Sequence, residues 1–100
     1  MERQRLPNRR ASENFNFTCA GLLYTATVSH QEEKVVEIFL NNHKINSHAD
    51  VSARDAAVVC SIALQYGVPV DVIADALMRD TAGHANGPLG TALDIIRGRP

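Results

Sequence analysis

The chain has one hundred residues, 45% hydrophobic and 21% charged, with a formal net charge of −1. Such a chain makes one domain with one modest core, burying only about 60–65% of its unfolded surface, and has no room for a large catalytic scaffold. No apolar run approaches the roughly 18 residues of a membrane-spanning helix, and no charged-then-apolar signal segment opens the chain, so the sequence reads as a soluble cytoplasmic protein with no membrane partner.

The charge is unevenly placed. Arg3, Arg5, Arg9 and Arg10 against Glu2 give the first ten residues +3, which leaves −4 for the rest. Residues 1–12 lack periodicity and read as a flexible basic arm, with Pro7-Asn8 as a turn or extended point; residues 13–98 read as the domain. From Phe15 the pattern alternates, with Phe15, Phe17 and Cys19 on one face. Beyond Gly21 the apolar parity switches to Leu22, Tyr24, Ala26 and Val28. A switch of parity needs a bulge or a break, and Gly21 is where it is cheapest. Strands are therefore expected over Asn14–Ala20 and Leu22–His30. A polar turn without glycine, His30–Lys34, leads to a third strand, Lys34–Asn41, with Val36, Ile38 and Leu40 on one face. These runs make an antiparallel hairpin or meander, too little sheet to stand alone.

After the polar connection Asn41–Asp50 comes the stretch around which the rest is arranged, Ala53–Pro69. On a helix, Ala53, Ala56, Ala57, Cys60, Ala63 and Leu64 form one stripe, and Val58, Val59, Ile62 and Tyr66 lie on the other side. A helix apolar nearly all round is a buried one, and a chain this short can complete the cover by forming a homodimer. Ser52 with Asp55 approximates a capping box, with Ser47 or Asp50 as starts of a longer first turn. Gly67, Val68 and Pro69 spell the stop. Val70, Ile73, Ala74 and Leu77 then give a short amphipathic helix ending near Met78 or Arg79. Asp80–Gly87 reads as a loop, and Pro88 opens a last helix with Leu89, Ala92, Leu93 and Ile96, closed at Gly98. The order β-β-α-α-α, with two or three strands first and the helices after, is an α+β fold.

Little in this pattern carries chemistry. Cys19 and Cys60 fall on apolar faces, without a Cys-x-x-Cys, and read as buried hydrophobes. His43, His48 and His84 lack metal-site spacing. The reading assigns no catalytic residue, no metal and no cofactor. The stretch Asp80–Gly90 offers more. Glycines ahead of a helix N-terminus leave amides free, and these with the helix dipole favour an anion. Lys44, Arg54 and Arg79, with Asn86, Gly87 and Gly90, are the candidate ligand-binding residues for a nucleotide or other anion. The alternative is a capped loop that fixes the angle between the last two helices.

Glu37-Ile38-Phe39-Leu40, Asn42-His43-Lys44 and Leu64-Gln65-Tyr66-Gly67-Val68-Pro69 resemble the TSCPD domain of bacterial ribonucleotide reductases, in particular the C-terminal region of the cobalamin-dependent enzymes. With Leu6–Arg10, Tyr24–Val28 and Gly87–Gly90, about nine-tenths of the chain is similar to the small stand-alone version, found in alphaproteobacteria and their phages and commonly labelled ribonucleoside-diphosphate reductase. The Thr-Ser-Cys-Pro-Asp run is absent; Thr18-Cys19-Ala20 is its nearest counterpart, so no metal or redox role is carried over. The resemblance implies that reductase turnover needs a large barrel with a radical cysteine, a reducing cysteine pair, a carboxylate and a tail cysteine pair, which two separate cysteines do not supply. The expected function is a non-catalytic accessory module linked to deoxyribonucleotide synthesis, dimeric and docking on a protein such as a reductase large subunit through the hairpin or the Asp80–Gly90 loop. Two other readings are a small-ligand sensor at Gly87–Gly90 and nucleic-acid binding through the basic arm.

Overall fold

The structure, a computed structural model, describes Glu2, Arg3 and residues 11–98. Three strands, β1 (Ala11–Cys19), β2 (Leu22–Gln31) and β3 (Lys34–Asn42), form an antiparallel meander in the order β1-β2-β3. Three helices follow: α1 (His48–Gln65), α2 (Val70–Ala76) and α3 (Pro88–Ile96). The α+β class and element order expected from the patterning are those observed.

The parity switch at Gly21 marks a reversal of the chain, and neither a bulge nor a break in one strand. Cys19 pairs with Leu22, Phe17 with Tyr24 and Phe15 with Ala26 across a two-residue turn. Both turn residues are left-handed, Ala20 at φ 51° and Gly21 at φ 76°, the twist that matches two antiparallel strands. An odd register sum puts odd residues of β1 and even residues of β2 on one face, which is the parity change seen in the sequence. The second turn is built from Glu32 and Glu33, at φ 52° and 65°, where glycine or asparagine is the usual choice. The bulge lies elsewhere: Ser29 pairs with Glu37 and His30 with Val35, leaving Val36 as the extra residue of β3.

Helix α1 begins five residues ahead of the expected Ala53. Ser47, rather than Ser52, is the cap: its hydroxyl accepts from the Asp50 N–H (3.1 Å) and donates to the Lys44 carbonyl (2.7 Å). The stop is as expected. Gly67 sits at φ 96°, its N–H donates to the Leu64 carbonyl, and the Val68 N–H donates to the Ala63 carbonyl, the paired bonds of a Schellman closure.

The two stripes of α1 have different fates. Ala53, Ala57 and Cys60, the small residues, are buried; their short side chains let the helix axis approach the sheet closely. Three polar residues on the same side lock the free edge of β3. The Ile38 N–H donates to Ser61 Oγ and the Ser61 hydroxyl donates back to the Ile38 carbonyl, both at 2.9 Å. Gln65 Nε2 donates to the Val36 carbonyl (3.2 Å), and the Asn42 N–H donates to Asp50 Oδ1 (2.9 Å). An open edge is a template for unwanted pairing; here a helix satisfies it. Asp50 is 0% exposed and also accepts from the Asn46 N–H (3.0 Å) and Arg54 Nε (3.1 Å). The Asn46 and Asn42 amides hold its carboxyl below the usual carboxylate range. The opposite stripe is bare within this chain: Val51, Val58, Val59, Ile62 and Tyr66 are 37–69% exposed. The expectation of cover on all sides is thus met on one side by the chain itself and on the other by nothing among the described residues.

Helix α2 ends at Ala76, short of the expected Met78 or Arg79. Leu77 is extended (φ −79°, ψ 156°), and Arg79 forms a bridge with Ala85 while the Asn86 N–H donates to the Met78 carbonyl (3.0 Å). Arg79 explains the early stop. Its guanidinium donates to both oxygens of Asp94 (2.7 and 2.9 Å), to the Gly83 carbonyl (2.9 Å) and to the Ala74 carbonyl (3.0 Å), which a continuing helix would not allow. Arg97 joins the same carboxylate (2.9 and 3.1 Å) and reaches Asp71 (2.8 Å) and Asp75 (3.0 Å) on α2. Asp94, 6% exposed, is therefore the hub tying α2, the loop and α3 together. Leu89, Ala92 and Leu93 carry α3 into the core with Ala26, Val28, Ile38 and Leu40.

Of the expected arm, Met1 and residues 4–10 lie outside the described residues, Arg3 Nε donates to Gln65 Oε1, and Ala11 and Ser12 belong to β1.

Candidate functional site

Asn86, Gly87 and Gly90 do come together, on one wall of an open cleft of about 510 Å³ between the start of α1 and the start of α3. The three cations read as partners of that loop do not line it. Arg54 turns to Asp50, Arg79 to Asp94, and Lys44 is exposed in the β3–α1 connection, where its N–H donates to Asn42 Oδ1 (2.8 Å). The pull of two buried carboxylates accounts for both arginines. They are expected from the sequence to close an anion site at the loop, but a guanidinium goes to the nearest desolvated anion.

The loop is itself a tied structure. Asp80 Oδ1 accepts from the N–H groups of Ala82 and His84, both at 2.9 Å, and those amides, His84 first, lower the Asp80 carboxyl below its ordinary range. This is the capped-loop arrangement read from the sequence, with Arg79 to Gly83 as an added strut.

The cleft walls are mostly apolar: Ala53, Ala56, Leu77, Met78 and Pro88. Its polar features are few. Tyr24 lines it and is 4% exposed, held by ring stacking on Phe17 at 5.5 Å. Its hydroxyl bonds to no group among the described residues. His48 and Ala49 open α1, and Gly87 to Gly90 open α3, on the same cleft. Tyr24 was not singled out by the sequence reading; the available signal was a phenol at an inward position of a strand, where a buried hydroxyl ordinarily finds a partner.

Neither cysteine is poised for thiolate chemistry. Cys60 is 3% exposed and burial raises its thiol to about 11. Cys19 is also buried, donating to the Asn86 carbonyl (3.6 Å), with the Thr91 hydroxyl, which donates to the Gly87 carbonyl (2.8 Å), 3.7 Å from its sulfur. Among the described residues no group of three His, Cys, Asp or Glu side chains is arranged to hold a metal, and no helix is long and apolar enough to cross a membrane.

The family model of the TSCPD domain matches residues 2–96. The chain belongs to the TSCPD domain family. This TSCPD domain is 33% identical over 76 residues to the vitamin B12-dependent ribonucleotide reductase of Agrobacterium fabrum, a match covering 75% of this chain and 6% of that protein. It is 32% identical over 76 residues to the enzyme of the same name from Bradyrhizobium diazoefficiens, with the same coverage. The matched part of the domain thus spans about one-sixteenth of the length of those reductases. No solved structure matches it.

Proposed function

We propose that this TSCPD domain is a non-catalytic accessory module that docks on a protein partner, and that the partner is a vitamin B12-dependent ribonucleotide reductase, which links the domain to deoxyribonucleotide synthesis. The observation that carries this reading is the bare stripe of α1. Val51, Val58, Val59, Ile62 and Tyr66, exposed by 48, 48, 69, 37 and 39%, follow one another at helical spacing on the solvent side of α1, with the exposed Asp55 as the one charge among them. Together they expose roughly 400 Å² of mostly apolar surface, within the range of about 300–600 Å² for the largest apolar patch of a monomer, which is often a functional one. This is about half of what one side of a standard interface buries, so the stripe forms the centre of the contact and the flanks of α1 its rim.

Kinship supports the choice of partner. In the reductase relatives the matching segment is a small part of a much longer chain, so a segment similar to this domain is carried within such an enzyme. The buried thiols support the non-catalytic reading, since thiolate chemistry needs an accessible and acidic cysteine.

Sedimentation velocity of the purified domain mixed with purified vitamin B12-dependent reductase tests this. The reading expects a co-sedimenting complex that is lost in the double variant Val59→Glu, Ile62→Lys, whose changes lie on exposed positions and leave the fold intact. A second copy of the chain is the competing occupant of the stripe. It shows as a dimer of the domain alone, dissociated by the same variant.

A further inference from the structure

We infer that the cleft between α1 and α3 is a binding site for a small molecule with an apolar body and an anionic head, a carboxylate or a phosphate. It lies on a different flank of α1 from the docking stripe and does not depend on it. Three independent features converge. The first is shape: about 510 Å³ falls within the range of roughly 300–1,000 Å³ typical of small-ligand sites.

The second is the sign of the polar groups. Two helices begin on this one cleft. The Ser47 side chain caps the Asp50 amide and leaves those of His48 and Ala49 unused; at α3 the cap residue is Gly87, which has no side chain to offer. The N–H groups of Ala49, Leu89 and Gly90 meet no acceptor among the described residues. Each helix start carries about half a positive charge. The lining contains no carboxylate. The first turn of α1 holds the buried Asp50, which is engaged by the Asn42 and Asn46 amides and Arg54, whereas the first turn of α3 has no acidic residue to answer its charge.

The third is Tyr24. The residue is 4% exposed and lines the cleft, while its hydroxyl has no partner among the described residues and is not shut off from solvent. Placed against the cleft, its hydroxyl supplies a donor that no described protein group accepts. The combination reads as recognition of an acceptor: the head of the ligand takes the Tyr24 hydroxyl and the free amides, while Ala53, Ala56, Leu77, Met78 and Pro88 enclose the body. Met78, 78% exposed at the rim, is a flexible side chain suited to closing over ligands of differing outline.

The test is an amide-resolved NMR titration of the full chain with four probes: benzoate, phenyl phosphate, benzyl alcohol and inorganic phosphate. The expected result is saturable movement of the Ala49, Leu89 and Gly90 amides with one or both of the first two, and a much weaker response to the uncharged body or the bare ion. Which of benzoate and phenyl phosphate binds tighter decides the head group. Tyr24→Phe removes an oxygen that bonds to nothing among the described residues, so the variant keeps its thermal midpoint while binding weakens about tenfold, the loss of one hydrogen bond to a charged group. The inference is overturned if neither anion moves these amides in the millimolar range, if benzyl alcohol binds as well as benzoate, or if Tyr24→Phe binds as the parent does.

Discussion

Replacing Asp94 by asparagine removes the charge at the hub of the helical half and keeps the outline of the side chain. Asp94 takes two hydrogen bonds from Arg79 and two from Arg97. The Arg79 guanidinium, with Arg97 behind it, lowers its carboxyl from 3.8 to about 2. A group whose folded pKa is depressed contributes stability that is fully present above its unfolded value and lost as the pH falls through the folded one. At 1.36 kcal/mol per unit that contribution is about 2 kcal/mol at neutral pH. Asparagine also turns an amide NH₂ toward guanidinium donors and leaves Arg79, 18% exposed, without its counter-charge, so the total cost is about 2–4 kcal/mol. For a domain of this size that lowers the thermal midpoint by roughly 10–20 °C. Urea unfolding followed by circular dichroism, at a series of pH values from 7 to 2, measures it. The gap between parent and variant is expected to be widest above pH 5 and to narrow between pH 4 and pH 2. A gap below about 0.5 kcal/mol at neutral pH, or one that stays constant into acid, refutes the assignment of Asp94 as the hub.

The Glu32-Glu33 turn holds two side chains at positive φ, so Glu32→Asn with Glu33→Gly is expected to raise stability by about 0.5–1.5 kcal/mol in the same urea experiment, without a change in slope. Ser61→Ala strips both partners from the buried Ile38 peptide groups and reopens the edge of β3; the expected loss is about 2–4 kcal/mol, accompanied by faster amide exchange at Ile38.

How far the sequence reached depended on whether a feature was local. Alternation over Phe15–Cys19 and Tyr24–Val28, the Gly67-Val68-Pro69 stop and the Pro88 start are decided by neighbours in the chain, and each stands where it was read. The parity switch at Gly21 was visible too, but its cause was not, because a two-residue turn and a bulge change parity alike. The start of α1 moved to Ser47 because the buried Asp50 needs the amides of Asn42 and Asn46, a requirement that comes from β3. Asp50 reads from the sequence only as an alternative start of a longer first turn, and Ser61 and Gln65 carry no local signal of their role. They are the groups that close a strand edge, and only the docking of α1 on β3 gives them that role. The candidate site was half legible for the same reason. Gly87 and Gly90 are local to a helix start, whereas the destinations of Arg54 and Arg79 depend on which carboxylates the fold buries, and Tyr24 comes to the cleft from a distant strand.

The outer stripe of α1 as a docking surface for a reductase is the claim on which the functional account rests. Sedimentation of the domain with purified vitamin B12-dependent ribonucleotide reductase reads it directly. The account predicts a complex formed by the parent chain and absent with Val59→Glu, Ile62→Lys. Independent sedimentation of the two proteins, or a complex that the double variant forms equally well, contradicts it.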